Sequence, residues 1–328
     1  MKIFKILLPL IFGAVVYSCS EAPQLMPTIS GKAGEVVIVI NKGQWESEPG
    51  ISLRSLLAQD QPFLPQREQM FTLINIPSNA FTNIFKSHRN IIIVNISPEI
   101  KETKLVYQVN VWAAPQIVIT LSAPTPQDAA TEINTQQEKL LASLEQAERN
   151  RNIQNARKYE DHGLRSLVTD VFGGSPYFPK GYSLRKKTDN FVWISYETTY
   201  TNQGIFIYKY PFKDSSYLSL DTILSRRNLF MKEYVPGPLE NTYMTTSFIN
   251  TPPALRWVNY NNRNFAEVKG LWEVQNDYMG GPFAEHVFLD KDHRNVIVLE
   301  AFVYAPRYPK RNYMRQVESL LYSFEFFE

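Results

Sequence analysis

Hydrophobic and polar residues are patterned in two ways along this chain. EVVIVI (Glu35–Ile40) and RNIIIVNI (Arg89–Ile96) are continuous, β-branched runs, the pattern of strands buried on both faces. Between them, ISLRSLLAQ (Ile51–Gln59) has the spacing of a short amphipathic helix and QMFTLINI (Gln69–Ile76) reads as a strand. Two more strands follow, Leu105–Trp112 and Gln116–Leu121, joined tightly at Ala114-Pro115. A long helix comes next. Thr125 suits its N-cap, Pro126 its first turn, and Asp128 can reach back as a capping partner. Ile133, Leu140, Leu144 and Ala147 then form one narrow apolar stripe. Beyond it ERNRNIQNARKYED is almost wholly polar and predicts a solvated helical extension between domains, the alternative being a docking surface for an anionic partner.

After residue 160 the pattern changes to strict alternation, and aromatic residues concentrate there. NFVWISYE, GIFIYKY, ALRWVNYN, NFAEVKGLWEV, FAEHVFL and NVIVLEAFVYA all predict half-buried strands, and FAEHVFLDKDHRNVIVLEAF a hairpin around a polar loop. Helices are expected near Ser219–Tyr234 and Pro309–Tyr322. The predicted class is α+β: two α/β-sandwich halves, the second mainly an antiparallel sheet with helices on one face.

The first residues are of a different kind. Lys2 and Lys5 precede an apolar stretch, Ile6–Val16, about half the length needed to span a bilayer. Val16, Tyr17 and Ser18 then lead into Cys19, the only cysteine. That order resembles the lipobox of bacterial lipoproteins, although Tyr17 is bulkier than the usual occupant. The expectation is cleavage after Ser18 and lipid attachment at Cys19, with diacylglyceryl and acyl chains anchoring the protein stably, as two or more chains do. No transmembrane helix is expected, and a single thiol permits no internal disulfide. Ser20 is not the aspartate of an inner-membrane retention signal, so the outer membrane is favoured; the periplasmic or surface face stays open. The expected organisation is a signal peptide over 1–18, a lipidated tether over 19–34, an N-terminal α/β domain over 35–160 ending in the long helix, and an aromatic-rich C-terminal α+β domain over 161–328.

Composition narrows the chemistry further. A formal net charge of +2 gives no electrostatic reason to expect nucleic acid. The four histidines, His88, His162, His286 and His293, are not at metal-binding spacing, and no phosphate loop, dinucleotide fingerprint or nucleophile elbow is present. No cofactor or metal is expected. Strand parity sends Glu285 and His286 to opposite faces, and DKDHRN (Asp290–Asn295) reads as a hairpin turn and not a calcium loop. Two segments are candidate contact sites. One is the loop of Tyr278, Met279, Gly280, Gly281 and Phe283, where glycines permit a close approach to a ligand or simply a bend. The other is a basic cluster, Arg307, Lys310, Arg311 and Arg315, suited to phosphate headgroups or sugar acids, or else a solvated helix start. The rings of the second half suit sugars, partner surfaces or a core.

LPQREQMF (Leu64–Phe71), FKSHRNIIIV (Phe85–Val94), MGGPF (Met279–Phe283) and LEAFVYAPRYPKRNYMRQVESLL (Leu299–Leu321), behind a lipobox, resemble a Bacteroidetes lipoprotein family known only as domain of unknown function 4837. Gln69 departs from the proline expected there. The resemblance implies a lipid-anchored location and a common fold, and carries over no site residue. The expected function is therefore a lipid-anchored envelope protein, a binding or assembly module at the outer membrane with an envelope protein or glycan as partner. The alternatives are an envelope-polymer hydrolase using carboxylates such as Glu267, Glu273 or Glu285, and a structural spacer. No catalytic residue is assigned.

Overall fold

The computed structural model describes residues 25–249 and 251–327. The predicted signal segment, Cys19 and the first part of the tether lie outside the described residues. Among the described residues no helix is long and apolar enough to cross a membrane.

The first half is built on β1 (Glu35–Val39), α1 (Lys42–Trp45), α2 (Glu48–Leu57), β2 (Thr72–Ile76), α3 (Asn83–Lys86), β3 (Asn90–Ile96), β4 (Lys104–Val109), β5 (Ile117–Ala123), α4 (Pro126–Thr135) and α5 (Gln137–Lys158). The sheet runs β2-β1-β3-β5-β4; all neighbours are parallel except the edge strand β4. The continuous apolar runs belong to β1 and β3 because both sheet faces are covered. Val36, Ile38 and Ile92 pack against Leu53, Ile133, Leu140 and Leu144 of the helices, while Val37, Val39 and Ile91 meet Phe81, Phe85 and Trp112 on the other side. Thr125 caps α4 as its sequence predicts, accepting the Asp128 N–H at 3.2 Å. The single long helix breaks once, at Gln136.

The polar run after Leu144 differs from its expectation of a solvated extension. Glu148 and Arg151 are buried. Glu148 accepts from the Asn90 amide at 2.8 Å and pairs with Arg89 at 2.9 Å and Arg151 at 3.2 Å, and Arg151 donates to the Arg89 and Pro115 carbonyls. These charges satisfy one another against the first-half sheet instead of facing water. On the same helix Asn152 donates to Ser319, and Arg149 lies over the Tyr322 ring at 3.8 Å. The run thus ties α5 to both halves.

The second half comprises α6 (His162–Phe172), β6 (Gly174–Ser175), β7 (Ser183–Lys187), β8 (Phe191–Glu197), β9 (Asn202–Pro211), α7 (Leu220–Tyr234), β10 (Met244–Ser247), β11 (Ala254–Tyr260), β12 (Arg263–Val274), β13 (Gly280–Leu289), β14 (Asn295–Tyr304), α8 (Arg311–Tyr322) and β15 (Glu325–Phe326). Eight strands form an antiparallel sheet, β10-β12-β13-β14-β9-β8-β7, with β11 also paired to β12. The class is α+β, as the patterns predict. The helices, however, cover both faces and not one. α6 and α8 pack on Ile205, Leu299 and Ala301, and α7 packs on Phe206, Tyr208 and Val298. The physical reason lies in β9, β13 and β14, whose residues are buried at nearly every position: a sheet with two apolar faces needs two covers.

Candidate functional site

The structure disperses the two segments singled out by sequence. Tyr278 is fully exposed, but Gly280 and Gly281 are already in β13, opposite Glu273 and Trp272. A Cβ at Gly281 would collide with the Val303 carbonyl, so that glycine serves strand packing. Phe283 is buried, with the Arg227 guanidinium 4.1 Å over its ring, and Met279 and Gly280 are of intermediate exposure. The basic cluster is likewise not one open patch. Glu68 accepts the backbone N–H groups of Lys310 and Arg311 at the start of α8, where a carboxylate complements the helix dipole. Lys310 Nζ donates to Gln66, Arg311 to the Gln69 carbonyl, and Arg315 to Gln61 while lying over the Phe71 ring. Three of the four cations therefore clamp Leu64–Phe71 of the first half. Arg307 is the exposed one, 5.2 Å from the Tyr200 ring centre.

Two buried polar groups hold the second sheet in place. On the α7 face, Arg227 grips Glu300 with two hydrogen bonds of 2.6 and 3.0 Å and donates to Thr246 at 3.0 Å. Glu285 is paired with Glu300 across β13 and β14 and accepts from the Tyr208 hydroxyl at 2.8 Å. Burial, and after it the Glu300 charge, holds the Glu285 carboxyl well above the usual carboxylate range. On the α8 face, Glu267 accepts from Arg256 and from the Tyr322 hydroxyl. Burial would raise this carboxyl, but Lys269 and Arg256 outweigh it and hold it at about 2. His286 is fully buried, 4.0 Å from the Phe265 ring, and burial followed by the Arg263 charge keeps its imidazole neutral. Strand parity separates Glu285 from His286 as the sequence predicts: the flanking Val287 and Phe288 enter opposite cores.

A wide opening lies elsewhere. β12 and β13 pair from Glu273↔Gly280 to Ala266↔Val287; past that point the β11–β12 and β13–β14 hairpins part. Between their tips is a groove of about 1000 Å³. Asn261 and Asn262 make the β11–β12 turn with positive φ of 49° and 61°, a two-residue geometry that asparagine tolerates. Trp257, Tyr260 and Asn264 line the same side, His293 and Lys291 the other, and Gln154 of α5 the back. Trp257 is 60% exposed. The formal charges around the groove are hydrogen-bonded within the protein, one pair of them as a salt bridge and the others to backbone groups. Arg157 pairs with Glu325 at 2.6 Å, Lys291 donates to the Phe327 carbonyl, and Asp290 accepts the Arg294 and Asn295 N–H groups. Burial lowers Arg263 to about 10, and its guanidinium donates to the Leu321 and Phe324 carbonyls. Beside these charges, aromatic surface and side-chain amides line the opening.

Sequence reading missed this site. Its signal was ALRWVNYNNRNF: a tryptophan on the outward parity of a strand, beside a turn of consecutive asparagines.

A family model described as Domain of unknown function (DUF4837) matches residues 144–323, more than half of the chain. The chain belongs to this family. A second model, Domain of unknown function (DUF8532), matches residues 29–157; the segments Leu64–Phe71 and Phe85–Val94 fall there, and Met279–Phe283 and Leu299–Leu321 in the first. The two matches overlap within α5. The groove hairpins, α7 and α8 all belong to the DUF4837 part. No curated protein matches the chain. Among solved structures, the Saccharomyces cerevisiae Ran-binding protein Mog1p is similar at 9% identity and a TM-score of 0.31, over 47% of this chain and 90% of that one. The human StarD13 (DLC2) lipid transfer and protein localization domain is similar at 12% identity and a TM-score of 0.23, over 48% and 95%. Likenesses this faint carry no argument.

Proposed function

We propose that this chain is a lipid-anchored binding protein of the bacterial envelope, held at the outer membrane through Cys19, whose hairpin groove takes a glycan chain carrying acetamido groups. The observation behind the glycan is the pairing of an exposed Trp257 with side-chain amides where the nearby charges are already engaged. A pyranose offers a C–H face for the indole and hydroxyl and acetamido groups for the amides, and because the lining charges are already hydrogen-bonded within the protein, the indole and the amides are left as the recognising groups. A hydrolase is less well supported, because Glu267 and Glu285 are enclosed and engaged.

The lipid anchor rests on the lipobox and on the export-like segment before it. Thr28 and Ser30 bridge to Ala114 and His88, and the stretch from Cys19 to Leu25 spans at most about 20 Å when extended. An anchor at Cys19 would thus hold the first half next to the bilayer.

Two experiments test these two parts separately. In cells fed labelled palmitate, the wild-type chain is expected to take up label and sediment with membranes, and Cys19→Ala to do neither; unchanged labelling of the variant would refute the anchor. In calorimetric titration of residues 20–328 with chitotetraose, Trp257→Ala is expected to weaken binding about tenfold, equivalent to about 1.4 kcal/mol, with the melting temperature unchanged. Equal affinity in the variant would remove the indole from the account.

A further inference from the structure

The sheet carries a second opening at the other end of its strands. Where the groove lies near Asn295↔Pro211, this one lies near Tyr304↔Asn202. Its volume is about 540 Å³, and its walls are the rings of Tyr182, Tyr196, Tyr200, Tyr308 and Tyr313. Tyr182 and Tyr196 have ring centres 5.8 Å apart, and Tyr200 and Tyr308 6.4 Å apart. These rings come from the loop before β7, the end of β8, the β8–β9 turn and the start of α8, so the cavity is assembled by the tertiary fold.

Gln203 lines the cavity, is 3% exposed, and its Oε1 meets no donor among the described residues. Buried acceptors are nearly always satisfied, and a ligand hydroxyl or N–H would satisfy this one. The rim is cationic. Lys180 lines the cavity, Arg307 lies 5.2 Å from the Tyr200 ring centre, and no carboxylate is among the lining side chains. Tyrosine cages also bind quaternary ammonium groups, but two cations and no acid oppose such a ligand here. A bare phosphate would use the rim and leave the rings and Gln203 without a partner. A sugar acid uses all three features: its C–H face lies on tyrosine, a hydroxyl reaches Gln203, and its carboxylate meets Lys180 and Arg307.

We infer that this tyrosine-walled cavity is a second binding site, selective for an acidic sugar over its neutral counterpart. It is independent of the hairpin groove and of the anchor. The test is saturation-transfer NMR of residues 20–328 with glucuronate and, in parallel, glucose. Glucuronate is expected to bind saturably and at least fivefold more tightly than glucose. The double variant Lys180→Ala, Arg307→Ala should reduce glucuronate to the level of glucose, and Tyr200→Ala should weaken both sugars. All three side chains are exposed, so the variants are expected to fold, and their far-ultraviolet dichroism should match the wild type. Chitotetraose binding should be unchanged in the double variant, which separates this site from the groove. Absence of saturable glucuronate binding, equal affinity for the two sugars, or an unchanged double variant would overturn the inference.

Discussion

Replacing Arg227 by methionine is expected to lower the unfolding free energy by about 3–5 kcal/mol, the usual effect of removing one partner of a buried ion pair. Arg227 and Glu300 are both fully buried, so no solvent screening reduces the figure. Methionine preserves the packing over Phe283 but leaves Glu300 facing Glu285 with no cation between them and the core. Either both acids are protonated or a carboxylate stays unpaired, and both states are unfavourable at neutral pH. Urea unfolding at pH 7.5 measures the loss, and a change below about 1 kcal/mol would show that the Arg227 fork does not hold the sheet to α7. Lowering the pH to 5 should recover part of the loss, because protonating the second acid is then easier.

Glu285→Gln is expected to act in the opposite direction and to change how stability depends on pH. The Glu285 pKa is raised in the folded state, so above its unfolded value the folded chain binds a proton that the unfolded chain releases. Stability therefore falls as pH rises through that window, by about 1.4 kcal/mol per pH unit for one proton. Below the unfolded pKa both states are protonated and this slope vanishes. Glutamine copies the protonated form: its carbonyl can accept from Tyr208 and its amide can donate to Glu300. The variant should match the wild type near pH 4.5, exceed it increasingly toward pH 8, and lose the slope between. A variant less stable than the wild type at pH 8 would mean that Glu285 is ionised in the fold. Burial pushes the Glu300 carboxyl up as well, but the Arg227 charge and fork and the Glu285 proton oppose it, which is why the proton is assigned to Glu285.

Legibility in the sequence followed the range of the interactions. β1 and β3 were readable because their continuous apolar patterns reflect burial on both faces, β14 was legible as a strand but not as one covered on both faces, and α4 was readable because Thr125, Pro126 and Asp128 are adjacent signals. α6 was readable too: Asp161 caps it, Leu164, Val168 and Phe172 share a face, and Gly173 closes it with a positive φ of 71°. Its start coincided with an expected domain boundary, and the helix was overlooked. Glu148 and Arg151 could not be told from solvated charges, since their partners Arg89 and Asn90 lie about 60 residues away. The same distance hid the Arg227–Glu300 pair, whose members are 73 residues apart. The groove was invisible for another reason. It is made by two hairpins ceasing to pair, and no residue type marks the place where a ladder ends.

That groove is where the account is most directly tested. Amide chemical shifts of residues 20–328, followed during titration with chitotetraose, are predicted to move saturably at the two hairpin tips, 257–264 and 288–293, and along the α5 face near Gln154. No saturable shift, or shifts confined to residues outside the groove, would contradict the account.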